Sequence, residues 1–350
     1  MPTLLPGITS RQIPTARVAT NVLEREGDAA DGVPVVLVHG NVSSSLFFQP
    51  FMLTLPRSWR VVAVDLRGFG DSETAPLDAT RGLRDFSDDL AAAVAELGFT
   101  GAPHLYGWSM GGGIVLQYAL DHPVASLALQ APVSPYGFGG TGADGALLTP
   151  DAAGTGGGGG NPDFVAALQA GDTGDGPASP RTVYRTTYVH AGHADAYEDL
   201  WVESMLSTKT GVGNYPGDGR PSENWPGFAP GDHGVLNTMS PDHLDLSGIV
   251  DLAVKPPVLW VHGDADVIVS DASLFDLNQL GALGVIPGWP GAEVAPAQPM
   301  VSQTRAVLDA YRAAGGAVTE LLLEDCGHSP HLEYPERVRA ALEELVGRVE

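Results

Sequence analysis

Short apolar runs alternate with segments of helical spacing up to about residue 131 and again after about residue 256. Residues 33–38 and 60–64 are nearly continuous apolar runs rich in valine, which are typical of strands buried on both faces of a parallel sheet. Between residues 83 and 97 the apolar side chains fall on one face of a predicted helix. Further strands are expected at 104–106, 126–131, 257–263 and 318–324. The alternation predicts an α/β protein with a doubly wound, mostly parallel sheet.

This alternation is interrupted from about Pro132 to residue 250. The intervening residues are rich in Gly, Pro, Asp and aromatic side chains, and they include five consecutive glycines at 156–160, a composition typical of a flexible loop. No lysine follows these glycines, which argues against a phosphate-binding loop. We therefore predict a core formed by residues 1–132 and 251–350, with residues 133–250 inserted as a cap over the sheet.

A Gly-x-Ser-x-Gly pattern with Ser109 at its centre lies between a predicted strand and the helix that follows it. Such a pattern predicts a sharp turn that presents a nucleophilic serine, and its glycines let the strand and the helix approach closely. Because the carboxyl ends of parallel strands meet at one edge of a sheet, other polar groups that follow strands should lie near this serine. These groups are His39-Gly40, the pair Asp264 and Asp266, and Gly327-His328.

These four motifs resemble, in this order, those of the α/β-hydrolase fold superfamily, over about residues 33–131 and 256–350. The order serine, acid, histidine is the one that this fold requires. The resemblance implies that Ser109 is the nucleophile, that His328 is the general base, and that Asp266 is the acid that orients the imidazole. Asp264 is the alternative acid, and we expect it to be a turn residue.

The same resemblance implies an oxyanion hole made of the backbone N–H groups of Met110 and Asn41. The stretch that begins at His39 also resembles that of haloalkane dehalogenases, which use an aspartate nucleophile. A serine at position 109 forms an acyl-enzyme instead, so the expected reaction is hydrolysis of a carboxylic ester. Lactone cleavage and carbon–carbon bond cleavage of ring-cleavage products are alternatives that use the same triad, and a non-catalytic binding protein is a third.

Aromatic residues of the predicted cap and its neighbourhood suggest the kind of substrate. If they line an enclosed pocket, the expected substrate is an ester of a hydrophobic or polycyclic small molecule rather than a triglyceride at an interface. The alternative is that they form the small core of the cap itself. The candidate pocket residues are Trp108, Trp201, Tyr215, Trp225, Phe228 and Trp289.

Composition excludes several other classes of function. Among 350 residues, 42 are Asp or Glu and 18 are Lys or Arg, and the net charge of −24 disfavours nucleic acids and anionic membranes as partners. Neither a secretory signal nor an apolar run long enough to span a bilayer is present, and the single cysteine, Cys326, fits a reducing compartment. We therefore expect a cytoplasmic protein, of an oligomeric state that the sequence leaves open.

No cofactor is expected, because the chain contains no dinucleotide-binding fingerprint. His190 and His193 have a spacing that could contribute to a metal site with acidic and histidine residues elsewhere in the predicted cap. Dispersed His and Asp residues in a polar segment are more often solvated, so no metal site is predicted.

Overall fold

The structure, a computed structural model, describes residues 2–349 and contains one eight-stranded sheet and one small two-stranded sheet within this range. The apolar runs are strands, as expected. Their bounds are β1 Ile8–Ile13, β2 Thr20–Arg25, β3 Val33–Val38, β4 Trp59–Val64, β5 His104–Trp108, β6 Ser126–Gln130, β7 Gly219–Pro221, β8 Phe228–Pro230, β9 Val258–Gly263 and β10 Val318–Leu323.

The large sheet has the order β1-β2-β4-β3-β5-β6-β9-β10. The strands from β4 to β10 in this order pair in parallel, whereas β1 and β2 pair antiparallel at one edge. Every residue of β5, β6 and β9 is buried, which explains their continuous apolar character. The predicted doubly wound, mostly parallel sheet is confirmed, and the carboxyl ends of β3, β5, β6, β9 and β10 meet at one edge.

Helices flank this sheet. Their bounds are α1 Gln49–Thr54, α2 Arg84–Leu97, α3 Met110–Asp121, α4 Pro162–Ala170, α5 Pro180–Val183, α6 Glu198–Leu206, α7 Leu277–Ala282, α8 Met300–Ala313, α9 Pro330–Glu333 and α10 Pro335–Gly347. The segment between β3 and β4 contains a 3-10 turn, Ser45–Phe48, followed directly by α1. Pro50 accounts for the boundary between the two, because it has no N–H to continue a helical bond and is tolerated only in the first turn.

Residues 133–250 contain α4 to α6, a π-helical turn at Tyr184–Tyr188 and the two-stranded sheet of β7 and β8. They contribute no strand to the large sheet. The division into a core and a cap stays a prediction. Within residues 2–349 we find no helix with the length and apolar character needed to cross a membrane.

A buried arginine joins three elements at the antiparallel edge of the sheet. The Arg25 side chain has no exposed surface and pairs with Asp28 at 3.0 Å. Its guanidinium also donates to the carbonyl oxygens of Met52, Leu55, Pro56 and Trp59, at 2.6 to 3.0 Å. One cation therefore satisfies the carboxyl end of α1 and ties it to β2 and to the start of β4.

We expect Arg25→Met to lower the free energy of unfolding by about 3–5 kcal/mol, because it leaves a buried carboxylate and several carbonyls without their donor. Arg11→Met is the matched control, since the ion pair of Arg11 with Glu24 is solvent-exposed and should contribute about 1 kcal/mol or less. Urea denaturation of both variants measures the difference. Equal losses in the two variants would contradict this assignment.

Candidate active site

Ser109 occupies a tight turn between β5 and α3. Its backbone has φ 59° and ψ −121°, a conformation that costs energy for any residue with a side chain. The turn is closed by close backbone contacts: a Cβ on Gly107 would lie 2.2 Å from the Gly111 carbonyl oxygen, and one on Gly111 would lie 2.2 Å from that of Val38. Only glycine fits at these two positions, which is the steric requirement of the predicted elbow.

The Ser109 side chain is half-buried and faces the turn that follows β3. A Cβ on Gly40 would lie 2.8 Å from Ser109 Cβ and 3.4 Å from Ser109 Oγ, so the serine and this glycine are in direct contact. Within residues 2–349 the Ser109 hydroxyl makes no hydrogen bond. Hydroxyl groups of this kind are often unengaged until a substrate is bound.

Asp266 and His328 form a buried pair. Asp266 Oδ2 lies 2.7 Å from His328 Nδ1, and the two side chains are 1% and 2% exposed. The other carboxylate oxygen, Oδ1, accepts the backbone N–H groups of Ile268 and Val269. Since a carboxylate only accepts, His328 Nδ1 carries the proton and Nε2 is the basic nitrogen of the neutral ring. Asp264, the alternative acid, is exposed and lies outside this pair.

The residue that precedes the serine connects the elbow to this pair. Trp108 Nε1 donates to the backbone oxygen of His328 at 2.8 Å, and the centroids of the two rings are 5.7 Å apart. Ser109, His328 and Asp266 thus follow β5, β10 and β9 at the same edge of the sheet. The structure joins Asp266 and His328 by a direct contact, and the role of Ser109 as their partner stays a prediction.

The two backbone N–H groups named as an oxyanion hole have no acceptor within the described residues. Met110 is the first residue of α3, so its N–H lies outside the helical hydrogen bonds, and Asn41 N–H is likewise unpaired. A Cβ on Gly111 would lie only 2.6 Å from the His39 carbonyl oxygen, which places the start of α3 against the turn that contains Asn41. Next to Asn41, Val42 has φ 46°, an unusual conformation for a β-branched residue.

The buried His39 ring stabilises this turn through hydrogen bonds. Its Nε2 accepts the Leu66 N–H at 3.0 Å, so Nδ1 carries the proton and donates to the Gly40 carbonyl at 2.7 Å. Burial lowers the pKa of His39 to about 4, in spite of the nearby Asp65 carboxylate, which raises it. The neutral ring connects the ends of β3 and β4.

A second buried imidazole lies beside Trp108. His331 Nδ1 is 2.8 Å from Gln130 Nε2, and its ring centroid is 5.0 Å from that of Trp108. Burial lowers the pKa of His331 to about 3. The Gln130 side-chain oxygen accepts from the backbone N–H of His331 and from the Tyr106 hydroxyl. His331 therefore belongs to the packing beneath the site.

The neutral imidazoles of His39 and His331 predict a loss of stability in mild acid. Their ordinary pKa is about 6.5, so below that pH the unfolded chain binds protons that the folded chain does not. Between pH 7 and pH 5 each ring should lower the free energy of unfolding by about 2 kcal/mol. Urea denaturation at the two pH values measures the total loss.

His39→Gln should reduce that loss by about 2 kcal/mol, because glutamine offers one donor and one acceptor but does not titrate. The assignment is wrong if wild type and His39→Gln show the same pH dependence.

The six candidate pocket residues form four separate sets of contacts. Trp108 and Trp201 are each 1% exposed and both pack against Phe47, with ring centroids 5.1 and 4.8 Å from it. Tyr215 packs against Phe164. The other three lie apart: Phe228 covers Gly158, and Trp225 and Trp289 meet at Gly281. The structure gives only Trp108 a direct contact with His328, and membership of a substrate pocket stays a prediction for all six.

Three residues near the site make contacts that the sequence did not predict. The Tyr188 hydroxyl donates to the backbone carbonyl oxygens of Asn41 and Val42. The Glu333 carboxylate accepts the backbone N–H of Gly327. In the same region Asp195 accepts from Tyr184, Trp201 and Tyr197. Burial raises the pKa of Asp195, but hydrogen bonds from His193 and these residues outweigh it and hold the value at about 2. Most of these contacts involve backbone atoms, which no residue pattern reveals.

Two cavities lie away from Ser109. One, of about 610 Å³, lies between the start of the chain, the turn after β4, and α6, and its lining includes Asp65, Glu203 and Lys209. The other, of about 250 Å³, is bordered by His190, His193 and Glu333. In the part of the chain that the structure describes, no group of three or more His, Cys, Asp and Glu side chains is arranged to hold a metal ion.

The elbow, the strand order and the placement of these side chains define an α/β-hydrolase fold. Residues 33–150 match the family model described as the alpha/beta hydrolase fold. An esterase from Exiguobacterium antarcticum superposes with a TM-score of 0.58 over 97% of this chain and 100% of its own, at 17% identity. The chain has the α/β-hydrolase fold, and the family model covers about a third of its length.

The chain is also similar to two bacterial hydrolases over about a hundred residues. It is 35% identical over 116 residues to the 2-hydroxymuconate semialdehyde hydrolase of Pseudomonas sp. (strain CF600), which is 32% of this chain and 39% of that protein. It is 37% identical over 100 residues to the pimeloyl-[acyl-carrier protein] methyl ester esterase of Neisseria meningitidis (strain FAM18), which is 28% and 36%. Less than two fifths of each relative is thus covered.

Proposed function

We propose that this protein is a serine hydrolase that cleaves a carboxylic ester through an acyl-enzyme on Ser109. The observation that carries the proposal is the buried 2.7 Å contact of Asp266 with His328, at the sheet edge where Ser109 occupies its strained turn. An ordinary surface serine that lies near a histidine by chance needs no strained turn that admits only glycine. Such a histidine also needs no buried carboxylate as its partner.

In the proposed acylation step, Ser109 Oγ attacks the ester carbonyl carbon while His328 Nε2 takes the hydroxyl proton. The carbonyl oxygen becomes an oxyanion that the unpaired N–H groups of Met110 and Asn41 stabilise. Asp266 holds the imidazole in the required tautomer and stabilises its protonated form. As the carbon–oxygen bond breaks, His328 returns the proton to the leaving alcohol.

In the proposed deacylation step, His328 takes a proton from a water molecule that attacks the acyl carbon. The same N–H groups stabilise the second oxyanion. The bond from carbon to Ser109 Oγ then breaks, Oγ recovers a proton from His328, and the carboxylic acid leaves.

The proposal includes residues 133–250 as a cap over the site. Its support is that Tyr188 and His190, both within this segment, contact the turns that follow β3 and β10. The rings of Trp108 and Tyr188 lie 5.7 and 6.3 Å from that of His328, which favours a hydrophobic small-molecule ester.

A second candidate is carbon–carbon bond hydrolysis with the same residues. The observation that favours it is the 35% identity to 2-hydroxymuconate semialdehyde hydrolase. Comparing turnover of p-nitrophenyl butyrate with that of a vinylogous diketone separates the two, because a carbon–carbon hydrolase should prefer the diketone and show weak esterase activity.

Ser109→Ala should reduce kcat for p-nitrophenyl butyrate by at least about 10³-fold, because it removes the nucleophile. It should also abolish labelling by a fluorophosphonate, measured by mass spectrometry of the peptide that contains residue 109. Ser302→Ala, at an exposed serine of α8, is the control and should match wild type. An adduct on a different serine, or undiminished activity of Ser109→Ala, would overturn the proposal.

Asp266→Asn should lower kcat by several orders of magnitude, about 10⁴-fold, because an amide no longer enforces the imidazole tautomer. Asp264→Asn makes the same chemical change two residues away at an exposed position, and kcat should stay within about twofold of wild type. Steady-state kinetics of the two variants, together with thermal unfolding to verify that both are folded, give the comparison. The reverse order of effects would exchange the two aspartates.

A further inference from the structure

One short segment, residues 188–190, contacts both turns that the proposed mechanism uses. On one side the Tyr188 hydroxyl lies 3.1 Å from the Asn41 carbonyl oxygen and 3.1 Å from that of Val42. Tyr188 is 7% exposed, and burial raises the pKa of its hydroxyl, which therefore stays protonated and can donate. This contact holds the peptide group that directly follows the Asn41 N–H.

On the other side a carboxylate joins the segment to the turn that contains His328. Glu333, the last residue of α9, accepts the Gly327 N–H at 2.9 Å and the His190 N–H at 2.8 Å. Hydrogen bonds to an ionised acceptor are about twice as strong as those between neutral groups. The backbone directly before His328 is thus tied to residues 188–190 through one side chain.

The segment and the His328 turn also touch directly. A Cβ on Gly327 would lie 2.6 Å from the His190 backbone nitrogen and 2.7 Å from the Val189 carbonyl carbon. Both of those neighbours are backbone atoms, so the contact leaves no room for relaxation by a side-chain rotation. The absence of a side chain at Gly327 is what lets the two backbones meet.

We propose that residues 188–190 form a clamp that sets the distance between the Asn41 turn and the His328 turn, with Tyr188 and Glu333 as positioning residues. This inference rests on the proposed function, because the clamp aligns the oxyanion hole with the base. Neither side chain needs to touch the substrate. Their effect is on rate, since displacement of a catalytic group by 1 Å can cost about 10²-fold.

Other contacts hold the surrounding fold, so the clamp bonds can be removed selectively. Glu198 forms ion pairs with Arg181 and Arg185, and Asp195 accepts from Tyr184 and Trp201. None of these bonds reaches the Asn41 or His328 turn. Loss of the Tyr188 hydroxyl or of the Glu333 charge should therefore leave α5, α6 and the residues between them folded.

The test compares Tyr188→Phe and Glu333→Gln with matched controls from the same region. Tyr184→Phe removes a hydroxyl from the same π-helical turn, and Glu198→Gln removes a carboxylate charge, but neither side chain contacts the two turns. Measurements are kcat and KM for p-nitrophenyl butyrate, the rate of Ser109 labelling by a fluorophosphonate, and Tm.

Tyr188→Phe and Glu333→Gln should each lower kcat and the labelling rate by about tenfold or more, with KM changed by less than about threefold. Tm should change no more than in the controls, whose kinetics should match wild type. Glutamine is uncharged and replaces one acceptor oxygen by an NH₂ donor, so its hydrogen bonds to the Gly327 and His190 N–H groups should be weaker. In the double variant, kcat should fall by less than the product of the two single-variant fold losses, because both side chains position the same two turns.

The clamp is refuted if the two variants match their controls in kcat and labelling rate, or if only KM changes. The clamp is also refuted if the two variants lose kcat only together with a loss of Tm and the controls show the same two losses. Failure of the proposed function looks different, because Ser109→Ala would then retain activity. A wild-type protein that neither hydrolyses the ester nor reacts with the fluorophosphonate would overturn both.

Discussion

The geometry of the site depends on how closely α3 approaches the ends of β3 and β5. Gly107 and Gly111 leave no space between the backbones that they join, and the distance is set by carbonyl oxygens that cannot rotate away. This packing forces Ser109 into its positive φ and holds its side chain against Gly40. The strain is maintained by the buried strands on both sides, which cannot shift without opening the core.

The register of the parallel strands extends this constraint to the rest of the site. Gln130 of β6 lies opposite both Trp108 of β5 and Val261 of β9, and Leu323 of β10 lies opposite Gly263. The ends of these strands are therefore fixed relative to one another before any side chain is considered. Asp266 and His328 meet because each follows its strand by only a few residues, in turns whose backbone N–H groups donate to the carboxylates of Asp266 and Glu333.

The strands and the central side chains could be predicted because both leave a mark on the residue pattern. The run at 33–38 is apolar throughout since β3 is covered on both faces, and its predicted bounds are those observed. The elbow is visible because a steric demand at two positions admits only glycine. By contrast, Tyr188 and Glu333 bind backbone atoms, which every residue offers, so their partners leave no trace in the sequence.

In the segment between β6 and β9, amino-acid composition alone does not predict how the residues pack. Five glycines at 156–160 suggest a flexible loop, yet Gly157 donates to the Asn237 side chain, and Gly158 packs under Phe228. These glycines provide space for neighbouring side chains rather than conformational freedom of the backbone. Aromatic residues are equally ambiguous, because Trp225 and Trp289 pack at Gly281, and nothing in their spacing indicates that neighbour.

The contact between residues 188–190 and the two turns has a consequence for recombination with relatives. A chimera that exchanged the whole segment between β6 and β9 would replace the partners of Gly327 and Asn41 together with the proposed cap. Turnover and selectivity would then change together. Breakpoints placed on either side of Tyr184–His190 would keep the parental contacts and let selectivity be varied alone.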